Sequence, residues 1–147
     1  MGGFFGVTSR RDAVLDVFFG TDYHSHLGTR RAGLAAWDPT IGFQREIHNI
    51  ENAPFRTKFE KTCQEMKGVS CIGCISDTSP QPLLIRSRLG VYAISTVGRV
   101  LNADELVEQF LSFSGGHFDA MTGGLVNVNE LIAAMIDQKS SFTDGIR

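Results

Sequence analysis

The sequence predicts an α+β domain. Three observations carry that prediction: apolar residues change along the chain from short strand-like runs to stripes at helical spacing, capping residues with Gly or Pro punctuate the changes, and the strand-like runs cluster instead of alternating strictly with helices. With 147 residues, 42% of them hydrophobic and 20% charged, the chain has the composition of one ordinary globular domain.

Residues 4–7 form a short apolar strand. Asp12 is placed to cap a helix that carries Val14, Leu15, Val17, Phe18 and Phe19 on its buried side, with Gly20 as an interruption and Gly28 as its limit. Residues 33–38 read as a second strand, which turns at Asp38-Pro39 into a third at 42–48. Pro54 in a first turn opens a helix that runs to Met66, with Phe55, Phe59 and Cys63 four apart on one face, and Lys67-Gly68 closes it. Residues 69–75 and 91–95 read as central strands separated by the segment 81–84. Asn102 and Glu105 make a capping-box-like pair for a helix whose stripe is Leu106, Val107, Phe110 and Leu111. Gly115-Gly116 and Gly123-Gly124 mark loops, after which Asn127 or Asn129 caps a last helix with Leu131, Ile132, Met135 and Ile136 facing inward.

A net charge of -2 and a pI near 6.0 give no basic footprint, so nucleic acid is not an expected partner. Arg10-Arg11 and Arg30-Arg31 read as solvated pairs. No apolar run has the length of a membrane span and the start lacks a signal-peptide pattern, which makes the cytoplasm the expected location. Met1-Gly2 does not make a myristoylation signal, because Gly6 stands where Ser or Thr is needed. Three cysteines, an odd number, suit a reducing compartment. Cys71 and Cys74 have C-x-x-C spacing, but on a strand residues three apart face opposite sides, poor geometry for one metal or a redox pair. His24 and His26 are two apart, the wrong spacing for a helical ligand pair, and His48 and His117 read as isolated surface residues. No metal and no cofactor is expected.

Five segments, in order along the chain, carry a further signal. They are Met1-Gly2-Gly3-Phe4-Phe5-Gly6; the stretch from His26-Leu27-Gly28 to Ala32-Gly33-Leu34; Ile72-Gly73-Cys74-Ile75-Ser76 with Gln81-Pro82-Leu83; Tyr92 to Asn102 around Val97-Gly98-Arg99; and Val126-Asn127-Val128-Asn129-Glu130-Leu131. Together they resemble the class II glutamine amidotransferases, which are N-terminal nucleophile hydrolases, and most closely the glutaminase domain of amidophosphoribosyltransferase. The resemblance implies a four-layer αββα sandwich. It also implies that residues 1–147 are a partial domain of this type, truncated at the C-terminal end or completed by another chain. A C-terminal phosphoribosyltransferase-like region or partner chain, and an oligomer, follow from it as expected partners.

What the resemblance implies about chemistry is mostly loss. The family's cysteine nucleophile corresponds to Gly2, which has nothing to activate. The arginine that holds the substrate carboxylate corresponds to Ser76, and the arginine after the first histidine to Leu27. The asparagine of the oxyanion hole corresponds to Val97, whereas Gly98, the backbone donor beside it, is kept. The aspartate that meets the substrate ammonium corresponds to Asn127. No catalytic residue is therefore expected, and the leading reading is a degenerate glutaminase-like domain with a structural, regulatory or assembly role. Two alternatives stand beside it: an active amidotransferase of the purine-biosynthesis type with an unconventional nucleophile such as Cys74, and a small-anion-binding module using Arg99, where the family has a second asparagine.

Overall fold

Alternation within residues 31–38 organises the molecule, because successive strand residues point to opposite sides. In the computed structural model, which describes residues 2–147, Ala32, Leu34 and Ala36 of this strand enter the apolar core. Gly33, Ala35 and Trp37 take the other face. The strand, β2 (Arg31–Asp38), pairs antiparallel with β3 (Gly42–Asn49) on one side and with β4 (Ser70–Ser76) on the other. β1 (Gly2–Thr8) then pairs antiparallel with β4, giving a four-stranded sheet in the order β1-β4-β2-β3.

Two helices cover one face of this sheet, α1 (Val14–Tyr23) and α2 (Phe55–Glu65). Val14, Val17 and Phe18 from α1 meet Phe55 and Phe59 from α2 over Leu34 and Ile75. The Phe55 and Phe59 rings stack at 4.6 Å with 22° between their planes. Gly73 on β4 lets α1 lie flush, since a β-carbon there would collide with the Thr21 hydroxyl, which donates to Val17 O at 2.7 Å. A short 3-10 turn, Ser25–Leu27, follows α1.

The opposite face carries a hairpin, β5 (Leu83–Ser87) with β6 (Gly90–Ile94), and behind it α4 (Val128–Asp137), with α3 (Ala103–Ser114) against α4. A two-residue ribbon, β7 (Met121–Thr122) with β8 (Leu125–Val126), leads into α4, and α5 (Phe142–Ile146) ends the chain. The layers run helix, sheet, hairpin, helix, the expected αββα sequence, with only two strands in the second sheet among the described residues. Over the half of the first sheet bearing Ala35, Trp37, Phe43 and Ile72, the second layer leaves an open apolar cleft of about 710 Å³, with β6 along one side.

Several local expectations need correction. Leu15 and Phe19 are 60% and 54% exposed, because the buried stripe of α1 is Val14, Val17, Phe18 and Thr21. Gly20 does not interrupt the helix; the Phe5 ring occupies the space a β-carbon would need. Asp12 accepts the Val14 N–H at 2.9 Å although Ala13 takes the cap position. Residues 91–95 are not a central strand: β6 belongs to the separate hairpin, and its partner β5 begins inside the segment read as a spacer. Asn102 makes no side-chain cap, no residue of α3 is buried, and Met135 on α4 is exposed. His48 is not isolated, since its ring packs edge-on to Phe59 at 4.7 Å.

Candidate functional site

The strand register brings the N-terminal glycine to the site. Gly2 and Arg31 both lie opposite Ser76, on either side of β4, so the end of β1 and the end of β4 share one corner of the sheet. The segment that leaves β6 passes over the same corner. A cleft of about 540 Å³ results, lined by Gly2, Ile75, Ser76, Thr78, Gln81, Thr96, Val97, Gly98 and Arg99. That volume is within the range of small-molecule sites.

Five of the residues singled out in the sequence therefore meet here: Gly2, Ser76, Val97, Gly98 and Arg99. Leu27 and Asn127 do not line the cleft. Leu27 sits in the 3-10 turn, and its Cδ1 lies 3.0 Å from where a β-carbon on Gly3 would stand. Asn127 is buried and serves the fold. Its Oδ1 accepts the Asn129 N–H at 3.0 Å, which caps α4, and its Nδ2 donates to Pro80 O at 2.7 Å.

Asn127 is part of a closed amide network beneath the cleft. Gln81 Nε2 donates to Thr96 O at 2.9 Å, and Gln81 Oε1 accepts from the Thr96 N–H at 2.8 Å, Ser95 Oγ at 3.1 Å and Asn129 Nδ2 at 3.0 Å. Asn129 Nδ2 also reaches Asn127 Oδ1 at 3.1 Å, while Asn129 Oδ1 accepts the Thr96 hydroxyl at 3.0 Å. Every side-chain amide here has partners, which is what burial demands of such groups. Gly33 lets the network dock on the sheet, because a β-carbon there would run into the Gln81 carbonyl and the Pro82 ring. Sequence reasoning found Gln81-Pro82-Leu83 only as a matching tripeptide and considered Asn129 only as a helix cap.

The polar groups left at the cleft are few. Ser76 is buried; its hydroxyl donates to Ser79 O at 2.9 Å and accepts the Thr78 N–H at 3.3 Å. Arg99 is exposed and has no hydrogen-bond or ion-pair partner among the described residues. The N–H groups of Val97, Gly98 and Arg99 likewise lack protein partners among those residues. At residue 2 a β-carbon would lie 2.5 Å from the Ile75 carbonyl oxygen, so this stretch of β1 is shaped around a glycine.

The thiols are quiet. Burial pushes Cys74 up to about 11, against smaller lowering contacts from Ser95 and the Gly33 backbone, and its side chain is 0% exposed. Burial, with Asp12 and Asp16 adding their charge, also pushes Cys71 up to about 11. A thiol held protonated and out of solvent is a poor nucleophile.

No family model and no curated protein matches the chain in sequence. Solved structures do match it. The glutamine phosphoribosylpyrophosphate amidotransferase of B. subtilis, complexed with ADP and GMP, superposes with a TM-score of 0.80 at 23% identity, covering 99% of this chain and 31% of that one. The structure of an allosteric regulatory enzyme of purine biosynthesis gives 0.78 at 23% identity, with 99% and 32% covered. This chain thus spans about a third of the length of the solved structures it matches. At that identity the likeness establishes the fold alone, a layered α/β sandwich with antiparallel sheets like the matching third of these structures.

Proposed function

We propose that residues 1–147 are a glutaminase-like domain that does not hydrolyse glutamine and acts as a structural, regulatory or assembly module. The reading places it in the cytoplasm, as part of an oligomer, beside a phosphoribosyltransferase-like region or partner chain of the purine-biosynthesis type. One observation carries it: among the described residues the cleft holds no side chain with an activated nucleophile, and residue 2 is a glycine whose surroundings exclude a β-carbon. The hydroxyls of Ser76 and Thr96 are committed to hydrogen bonds within the fold, which supports the same reading. So does the use of Asn127 as a helix cap in place of a substrate contact.

Ammonia release from glutamine is the direct test. No turnover above a blank is expected, and turnover would end the proposal. Gly2→Cys is expected to stay inactive, because the new side chain meets the Ile75 carbonyl and the Val97 and Ser76 positions remain unchanged. Activity recovered by that single change would show that the scaffold was one residue from function. The alternative of an active enzyme using Cys74 makes its own demand: alkylation of the native protein would have to abolish glutamine hydrolysis.

A further inference from the structure

The amide network has a consequence for what the cleft can hold. Among the nine described residues lining it there is no carboxylate, and Arg99 is the one charged side chain. Asp77, the acidic residue nearest in sequence, is outside the lining and accepts the N–H groups of Thr29 at 2.7 Å and Arg30 at 3.1 Å. The Gln81 amide and the Ser76 and Thr96 hydroxyls are engaged inside the protein. Among the described residues, the groups at the cleft that the fold leaves without a partner are the Arg99 guanidinium and the backbone N–H and carbonyl groups of residues 97–99, beside apolar wall from Ile75, Val97 and Gly2. A guanidinium with backbone donors suits an oxyanion, and the described lining offers an ammonium no carboxylate.

We infer that this cleft binds a small oxyanion carrying no cationic group, a carboxylate or phosphate seated against Arg99 and the free N–H groups beside it, and discriminates against amino acids. The inference rests on the reading that the cleft no longer processes glutamine, and it adds the ligand class. It separates an anion met by the guanidinium from a zwitterion whose ammonium must lose hydration with no carboxylate in the described lining to meet it.

Calorimetric titration of the full chain at low ionic strength with glutarate, inorganic phosphate and glutamine tests it. Glutarate or phosphate is expected to bind at least tenfold more tightly than glutamine. The tighter of the two identifies whether a carboxylate on an apolar stem or a bare phosphate is the better match. Arg99→Gln is expected to weaken that binding at least tenfold, while Arg10→Gln, an exposed cation remote from the lining, leaves it unchanged. Raised salt should weaken it too, since the charge is at the surface. No binding of either anion, equal affinity for glutamine, or an Arg99→Gln variant that binds as well as the parent would each overturn the inference. A silent titration without ammonia release removes only the ligand assignment, whereas ammonia release from glutamine removes the proposed function and this inference together.

Discussion

On the face of the four-stranded sheet toward α1 and α2, Leu34, Ile75, Val17 and Phe59 exclude water almost completely, whereas the opposite face presents Phe4 and Trp37 to solvent and is held at one corner by side-chain amides. The first face is stabilised by apolar area, a non-directional contribution that tolerates changes of shape if volume is kept. The second depends on Gln81, Asn127 and Asn129, where each group is satisfied only in one arrangement. That difference lets the corner keep its shape independently of the side chains that line the cleft. Asn127, which the resemblance would set against the substrate, lies outside the cleft lining and holds α4 against Pro80.

The largest effect expected belongs to the helix-covered face. Phe59→Ala removes a fully buried ring stacked on Phe55 and in edge contact with His48, and should cost about 3–5 kcal/mol in denaturant unfolding. A loss under about 1 kcal/mol would mean that the core lies elsewhere. Asn129→Ala comes next. It strips the Thr96 hydroxyl of its acceptor and takes a donor from both Gln81 and Asn127, for an expected loss of about 2–3 kcal/mol. If it proved neutral in the same assay, the amide network would not be what secures the second face.

The thiols compare the two faces by titration. Cys71 touches the core under the helices, and Cys74 faces the hairpin through Ser95, yet both are pushed up to about 11. A folded-state pKa above the unfolded value of about 8.5 means that stability is fully present below that pH and is lost as pH rises through 11. Denaturant midpoints should therefore fall between about pH 9 and 11, more steeply than in a Cys71→Ala, Cys74→Ala double variant. Alkylation of the native protein at pH 8, followed by peptide mapping, should modify half-buried Cys63 first, although burial raises it as well. Cys74 reacting ahead of Cys63 would contradict its enclosure.

Much of this was legible in the sequence. The strands at 4–7, 33–38, 42–48 and 69–75, the helix from Pro54 and the layer order needed only periodicity, capping and the resemblance, because local pattern and tertiary placement agree there. The stripe of α1 was misjudged because Val14, Leu15, Val17, Phe18 and Phe19 are all apolar, and pattern alone cannot choose the buried set when both sides qualify. The fate of β6 depended on pairing with β5, a non-local choice that an apolar run does not encode. That Gly2, Ser76, Val97, Gly98 and Arg99 meet was legible from motif order alone; that Asn127 lies outside the cleft lining was not, because a motif position carries no information about which neighbours claim its amide.

The smallest effect expected is also the closest control. Phe4 and Phe5 are adjacent on β1, opposite Cys74 and Gly73 respectively, and so they face different sides of one strand. Phe5 packs against the core and over Gly20, while Phe4 is 59% exposed on the side of the hairpin. Identical chemistry at neighbouring positions removes differences of propensity and of unfolded-state composition. Phe5→Ala should then cost about 2–4 kcal/mol and Phe4→Ala below about 1 kcal/mol in parallel denaturant titrations. Should the two cost the same, either the hairpin face is better covered in solution than it stands here, by association with another surface, or the sheet does not distinguish its faces as its burial pattern requires. Repeating the Phe4→Ala titration over a range of protein concentration separates these outcomes, because only cover supplied by association makes the cost depend on concentration.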